Sequence, residues 1–286
     1  MSSNVRDTAR KIRQSLQGKY PAGEADAMTA IIFEKVMNYS RVDMIMREDS
    51  EVPEFASARI DDAVARLLRN EPIQHIFGEA RFAGHTFKVT PDTLIPRPET
   101  EQLVDMIAGE NTAPDLRVLD IGTGSGCIAI SLAIAMKWPQ VSAIDISPAA
   151  LAVARDNAKA LRARVAFSQA DILTAVPEKE SLDIIVSNPP YIDEQEKQAM
   201  DANVLDYEPA TALFVPDDNP LLFYRAIQRY AMTALKPGGR LYFEINPRHA
   251  VEMKEMLALA GWRDIDCLRD FYGRERFTSC TKPTEQ

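Results

Sequence analysis

The run Leu182-Asp183-Ile184-Ile185-Val186-Ser187, followed at once by Asn188-Pro189-Pro190-Tyr191, constrains the fold of this chain more than any other stretch. A short, β-branched, mostly apolar run reads as a central strand of a parallel sheet, buried on both faces. Two consecutive prolines have no N–H to give to a sheet ladder, so the strand has to stop at Asn188. In open α/β sheets ligands bind just beyond such carboxyl ends. The stretch therefore predicts an architecture and a place on it for a site.

The chemistry of that place follows from its residues. The Asn188 side-chain oxygen and the Pro189 carbonyl, held by a rigid turn, supply two acceptors for the two hydrogens of a planar NH2 group. Tyr191 offers an aromatic face to cover it. A side-chain amide and the exocyclic amine of adenine both present such a group, and these four residues do not choose between them. A strand followed by a ligand-free proline turn is the plain alternative for an isolated Asn-Pro, but the full tetrapeptide after an apolar strand is far more specific.

A second strand runs into a glycine turn at Val118-Leu119-Asp120-Ile121-Gly122-Thr123-Gly124-Ser125-Gly126, which holds three of the chain's 12 glycines. Glycine permits a tight turn and a close ligand approach, and the helix predicted over Ile128 to Ile134 offers its first N–H groups. The spacing is GxGxG. A dinucleotide fingerprint would need its third glycine at position 127, which is Cys127, so the pattern favours a nucleoside cofactor without a pyrophosphate. About 20 residues on, the predicted strand Val141 to Ile146 carries Asp145, where a carboxylate can accept from two ribose hydroxyls or be a solvated strand end. A third strand, Arg164 to Ser168, leads to Asp171, which either accepts from an adenine amino group or is an ordinary loop acid.

The chain divides near residue 80. Before it the apolar spacing is helical, with Met28, Ile31, Ile32 and Val36 on one face and Ile60, Val64, Leu67 and Leu68 on another. Asp26 and Ser57 are candidate helix starts, and Pro53 with Glu51 and Glu54 marks a loop. Alternation from Phe82 to Val89 around Gly84 predicts a hairpin. Beyond residue 100 strands and helices alternate, the pattern of a doubly wound α/β sheet. Lys236 to Arg240 reads as a turn into the strand Leu241 to Ile245, and the last strands are expected at Arg263 to Cys267 and Arg276 to Cys280. The expected division is a helical domain over 1–78, a hairpin linker over 79–98 and the α/β domain over 99–286. Arg97, Glu99 and Glu101 are either solvated charges with Thr100 as a helix cap, or part of a segment that closes over the site.

Charge narrows the function classes. With 33 Lys and Arg against 42 Asp and Glu the chain carries −9, the wrong balance for a protein that grips a phosphate backbone. No apolar run approaches 20 residues, and Arg6, Arg10, Lys11 and Arg13 make the first segment unlike a secretory signal, so a cytoplasmic protein without a membrane role is expected. Cys127, Cys267 and Cys280 lack disulfide or zinc spacing and are expected to be buried small hydrophobes. His75, His85 and His249 show no metal spacing.

The glycine turn, Asp145, Asp171 and the Asn-Pro-Pro-Tyr strand end fall in the order of a class I S-adenosylmethionine-dependent methyltransferase. Four further segments sharpen the likeness: Leu94-Ile95-Pro96-Arg97-Pro98-Glu99-Thr100-Glu101, Glu71 to Gly78, Asn188 to Glu194, and Tyr207-Glu208-Pro209 with Ala212-Leu213. In these the chain resembles the bacterial PrmC/HemK family over about residues 60 to 280. Glu99 stands where many members have aspartate, and Ile172 where some have an aromatic residue. The resemblance implies a Rossmann-like methyltransferase fold with a small helical domain that meets the substrate. It implies methyl transfer from S-adenosylmethionine, leaving S-adenosylhomocysteine, to N5 of the glutamine in the Gly-Gly-Gln loop of class I peptide-chain release factors. The residues so implied for the cofactor are Asp120, Gly122, Thr123, Gly124, Ser125, Gly126, Asp145, Asp171, Ile172 and Asn188. Those implied for the substrate are Asn188, Pro189, Pro190 and Tyr191, with Asn188, Pro189 and Tyr191 catalytic and no metal. A monomer that binds no nucleic acid directly is expected. The alternatives are an adenine N6-methyltransferase acting on DNA or RNA, which the −9 charge and the Ile95 to Glu101 segment weigh against, and a non-catalytic adaptor, which an intact Asn188 weighs against.

Overall fold

The computed structural model describes residues 3–198 and 200–284 in two units, one running to Gly78 and including Asp201–Tyr207, the other formed by the remainder. The smaller unit is helical: α1 (Val5–Leu16), α2 (Ala22–Met37), α3 (Arg41–Met46), α4 (Glu54–Leu67) and α5 (Ile73–Phe77). Asn4 caps α1 by accepting the Asp7 N–H at 2.8 Å, and Ser40 with Asp43 forms a reciprocal capping box on α3. Ile12, Leu16, Ile32, Phe33, Ile60 and Leu67 make its core. Met28, Ile32 and Val36 are buried as their spacing predicts, whereas Leu68 faces outward.

The helix starts differ from expectation. α2 and α4 begin at Ala22 and Glu54, each entered from a proline, Pro21 and Pro53, that presets the extended backbone leading into the first turn. Asp26 and Ser57 lie inside the helices, and Asp26 pairs with Arg13 at 2.5 Å instead of capping.

In the larger unit β1 (Glu79–Phe82) and β2 (His85–Lys88) form the expected hairpin. Ala83 and Gly84 both have positive φ, 47° and 76°, as a two-residue turn matched to strand twist requires. Then follow α6 (Pro98–Glu110), β3 (Arg117–Ile121), α7 (Cys127–Ala135), β4 (Gln140–Asp145), α8 (Pro148–Leu161), β5 (Val165–Gln169) and β6 (Leu182–Ser187). After them come α9 (Glu194–Lys197), α10 (Ala202–Leu205, in the helical unit), α11 (Ala210–Leu213), α12 (Leu222–Ala234) and β7 (Leu235–Glu244). The last elements are α13 (Ala250–Leu259), β8 (Arg263–Arg269) and β9 (Glu275–Thr281).

The sheet has the order β5-β4-β3-β6-β7-β9-β8, parallel except for β9, which is antiparallel to both its neighbours. Alternate residues of the central strands feed two apolar layers. Val118, Ile184, Val186 and Tyr242 pack with α6, α7 and α8, while Leu119, Ile185, Leu241 and Phe243 pack with α12 and α13. Burying each aliphatic side chain is worth about 1.5–3 kcal/mol, so a one-residue slip of β6 would exchange its whole apolar set between layers. β7 starts earlier than its sequence suggests: Leu182 pairs with Leu235 and Ile184 with Arg240, so residues 236–239 drop out of the pairing with β6 while Gly238 and Gly239 bond to Lys282 on the other side. Of the cysteines only Cys280 is buried, Cys127 and Cys267 being partly exposed, which corrects the expectation for those two.

Strand order reverses between β3 and β6, since the chain winds outward from β3 through β4 and β5 and then crosses back to β6 and β7. Ile121 pairs with Ser187 there, and the Ser187 hydroxyl donates to the Ile121 carbonyl at 2.6 Å. Gly122 and Asn188, the next residues of the two strands, therefore leave the sheet side by side at the switch point, where such folds place their ligands.

Candidate active site

Beyond β3 the three glycines of the turn have φ of +74°, +55° and +82°, a region that disfavours side chains. At Gly126 space is restricted as well, because an added Cβ would lie 2.9 Å from Ile130 Cδ1 and 3.1 Å from Ala154 Cβ. At Gly122 and Gly124 it would meet nothing within 4 Å, so the backbone there borders open space. The Gly122 and Thr123 N–H groups donate to the Ile144 carbonyl at 2.9 and 3.1 Å, which ties the turn to β4.

Asp120 braces this turn from below. It is fully buried, and its Oδ2 accepts from the Thr123 hydroxyl at 2.6 Å and the Ala129 N–H at 3.3 Å, while among the described residues Oδ1 has no partner. Burial lifts its carboxyl to about 7, the Thr123 and Ala129 bonds opposing and the charge of Asp145 adding to the rise. Asn157 supports the turn from α8. Its Nδ2 donates to the Ser125 carbonyl at 2.9 Å and to Lys88 O at 3.0 Å, and its Oδ1 accepts the Lys88 N–H at 2.7 Å, joining turn and hairpin.

Asp145 ends β4 with each carboxylate oxygen already holding one backbone N–H: Oδ2 from Gly124 and Oδ1 from Ser147, both at 2.9 Å. An ionised carboxylate has about four acceptor positions, so both oxygens keep capacity for a ligand. Asp171 Oδ1 accepts the Leu173 N–H at 2.9 Å. Asp145, Asp171 and Ile172 line one cavity of about 360 Å³ with Gly122, Thr123, Gly124 and Ser125. Asn188, Pro189 and Pro190 line the same cavity. Of the residues singled out from sequence, Asp120 and Gly126 support the turn without lining it, and neither does Tyr191 reach it. The Tyr191 hydroxyl donates instead to Glu244 Oε1 at 3.2 Å, and burial beside that carboxylate raises its pKa.

The segment before α6 forms another wall. Ile95 and Arg97 are tied to the Glu208 carboxylate, by the Ile95 N–H at 2.9 Å and the Arg97 guanidinium at 2.5 Å. Arg97 is thus no freely solvated charge. Thr100 is not a cap either: Arg97 holds the cap position, Pro98 opens the helix, and the buried Thr100 hydroxyl donates to Glu244 Oε2 at 2.6 Å. Glu99 and Glu101 stand in the first turn of α6, where the helix dipole favours acids. Glu244, Asn157 and the pairing role of Glu208 escaped sequence reasoning. Their signals were present as an acid inside an apolar strand, an Asn on the packed face of α8 and an acid between Tyr207 and Pro209.

No three His, Cys, Asp or Glu side chains among the described residues group closely enough to hold a metal ion, and no helix there is long and apolar enough to cross a membrane.

The chain matches two family models, a methyltransferase small domain over residues 99–207 and a PrmC N-terminal domain over residues 7–78. A release factor glutamine methyltransferase of Bacteroides thetaiotaomicron is 46% identical over 273 residues, covering 95% of this chain and 98% of that protein. Proteins of the same name from Flavobacterium psychrophilum and Enterococcus faecalis are 41% and 39% identical, covering 92% and 86% of this chain and 94% and 88% of theirs. Among solved structures, a methyltransferase from Pyrococcus furiosus shares the fold at a TM-score of 0.52 and 18% identity, covering 78% of this chain and 99% of its own. Identities of this size over nearly the full length of both partners place the chain in the release factor glutamine methyltransferase family.

Proposed function

We propose that this protein transfers a methyl group from S-adenosylmethionine to the side-chain amide nitrogen of the glutamine in the Gly-Gly-Gln loop of class I release factors. One observation carries the proposal: the glycine turn after β3 and the Asn188-Pro189-Pro190 end of β6 line a single cavity at the switch point of the sheet. The chain's membership of its family supports the same substrate.

The residues fit the cofactor. Both oxygens of Asp145 retain acceptor capacity for a ribose diol, and Asp171 Oδ2 has no partner within the protein among the described residues, which suits an adenine amino group. Ile146, Ile172 and Leu173 supply apolar contact for a flat base, and Gly122 and Gly124 leave room beside the backbone. When bound, S-adenosylmethionine supplies an electrophilic methyl group.

The protein must overcome the poor nucleophilicity of an amide nitrogen, whose lone pair is delocalised into its carbonyl. Among the described residues no His or Lys lines the cavity to take a proton from it. Orientation is what these residues offer. Asn188 Oδ1 and the Pro189 carbonyl accept the two N–H hydrogens and hold the nitrogen toward the methyl donor, which is worth several kcal/mol. As the nitrogen gains positive character those carbonyl dipoles interact with it more strongly, a gain realised mainly in the transition state; the N–C bond would form as the sulfonium S–C bond breaks, and the proton acidified by that charge would then pass to solvent. Tyr191, tied to Glu244, is assigned to holding the loop after Pro190 instead of covering the amide.

We assign residues 1–78 to holding the release factor. The PrmC N-terminal domain match supports this, as do the exposed Val42, Ile45 and Met46 on α3 and Phe55 on α4. A monomer working in the cytoplasm without direct nucleic-acid binding completes the proposal.

The test is to incubate the purified protein with methyl-labelled S-adenosylmethionine and either a release factor or unmethylated DNA. Label is expected on the release factor glutamine alone. Labelled adenine beside an unlabelled release factor would reassign the substrate.

A further inference from the structure

The two ends of an asparagine amide have the same shape and opposite hydrogen-bonding character, so Asn188 can accept from a substrate NH2 only if Oδ1, and not Nδ2, faces the cavity. What decides this is the group behind it. Asn188 Nδ2 lies 3.5 Å from Thr100 Oγ1, at the long end of a hydrogen bond, and the Thr100 hydroxyl is itself buried at 2% exposure. That hydroxyl has one proton, and it is committed to Glu244 Oε2 at 2.6 Å. Toward Asn188 the Thr100 oxygen therefore presents lone pairs only. The reversed amide would set its oxygen against the oxygen of the buried Thr100, and a polar contact left unpaired there is costly.

Glu244 is what makes this sequence of bonds one-directional. It sits at the carboxyl end of β7, 2% exposed. Its second carboxylate oxygen, Oε1, accepts from the Tyr191 hydroxyl, and its backbone carbonyl accepts from the Tyr224 hydroxyl at 3.1 Å. Burying a carboxylate is expensive, and an apolar side chain would fill the strand position more cheaply. The acid has one property that neither an apolar residue nor an amide shares: ionised, it can only accept. A glutamine there could turn its own NH2 toward Thr100, freeing the Thr100 proton to point at Asn188 and reversing the amide.

We infer that Glu244 and Thr100 are positioning residues that fix the amide of Asn188 through the relay Asn188 N–H to Thr100 O–H to Glu244, turning Oδ1 toward the substrate NH2. The relay reaches the second half of the strand-end motif too, because the same carboxylate anchors Tyr191. This rests on the assignment of Asn188 as the acceptor for the substrate amide. Neither Glu244 nor Thr100 touches the reacting atoms in this scheme. Each acts through Asn188.

Thr100→Val keeps the shape of the side chain and removes the hydroxyl. It is expected to lower kcat about tenfold or more, the cost of stranding a polar group, while S-adenosylhomocysteine affinity measured by calorimetry stays within about twofold. Thr100→Ser restores most of the rate. The side-chain amide signals of Asn188 in a nitrogen–proton correlation spectrum, identified by their loss in Asn188→Ala, should move in Thr100→Val and return in Thr100→Ser. Glu244→Gln is the second arm and should lower kcat with cofactor affinity kept, even if Thr100→Val folds poorly. Wild-type kcat in both Thr100→Val and Glu244→Gln, with Asn188→Ala inactive, would overturn the relay and leave the assignment of Asn188 standing. A parallel loss of cofactor affinity and rate, equal in the valine and serine variants, would also overturn it, because packing alone would then explain both. Near-normal activity in Asn188→Ala would remove the underlying assignment itself.

Discussion

The Arg97 guanidinium meets the Glu208 carboxylate at 2.5 Å across 111 residues of sequence, and the pair joins two walls of the cavity: Pro96 and Arg97 before α6, and Pro209, Thr211 and Ala212 at α11. The Glu208 side chain is 1% exposed and also takes the Ile95 N–H, so the loop that precedes α6 is fastened at two points to one buried carboxylate. Without Arg97, that carboxylate keeps a single neutral donor.

Arg97→Ala should therefore cost about 1.5–3 kcal/mol, the range for a hydrogen bond to a charged group, in the stability of the bound complex. The partly exposed guanidinium keeps the estimate below that for a fully buried pair. Titration of S-adenosylhomocysteine and of the release factor checks it, and unchanged affinity for both would mean that the two walls hold their places without the pair.

Asp145→Ala should weaken S-adenosylmethionine and S-adenosylhomocysteine alike, by about 1.5–3 kcal/mol for each charge-assisted bond lost, since both carry the same ribose. The loss belongs at the upper end, because the same carboxylate holds the N–H groups of Gly124 and Ser147 and the turn loosens with it. Calorimetry on both ligands decides. A variant that loses one and retains the other would place Asp145 away from the ribose.

Legibility from sequence follows the range of the interaction. β6 ends where its two prolines stop it, and all three glycines of the turn have the positive φ that only glycine adopts freely; both are local facts. The helix starts at Ala22 and Glu54 are harder to read than Asp26 and Ser57 suggest, because a cap signal inside a helix looks the same as one at its end until packing chooses. Thr100 is the sharper case. An oxygen-bearing residue at the head of an apolar run is the usual sign of a cap, yet its partner is Glu244, 144 residues away, brought within 2.6 Å only by α6 packing over the sheet. The neighbours of Tyr191 in sequence point it to the cavity, whereas its side chain turns to the same buried acid.

The buried carboxyl of Asp120 gives a pH signature with a definite sign. Its pKa is raised from 3.8 to about 7, so the folded protein keeps a proton that the unfolded chain releases. The associated stability is fully present below about pH 4 and is lost as pH rises toward about 7, a change of roughly 4 kcal/mol at most. Urea unfolding followed by the fluorescence of Trp138 and Trp262, both in the sheet unit, should show a midpoint that falls between about pH 4 and about pH 7 and levels off above it. Glu244, also raised by burial, shifts in the same direction, so the part due to Asp120 is the slope that disappears in Asp120→Asn. An equal slope in both proteins would show that Asp120 ionises as readily folded as unfolded.

The substrate itself provides the last prediction. Asn188 and Pro189 stand on a rigid strand end whose position is set by the β3–β6 register, so the place where an amide nitrogen can be held is fixed relative to the glycine turn. Replacing the loop glutamine of the release factor by asparagine shortens the side chain by one methylene and withdraws its nitrogen by more than an ångström. Misplacements of that size cost about 100-fold or more where catalysis depends on alignment. Because no His or Lys among the described residues lines the cavity to activate a badly placed nitrogen, none of them compensates. Methylation of the asparagine variant should fall at least 100-fold while its affinity for the protein changes little, as measured by single-turnover labelling beside direct binding. Comparable single-turnover rates for the two side chains would mean that a mobile acceptor, and not the fixed strand end, sets the geometry of transfer.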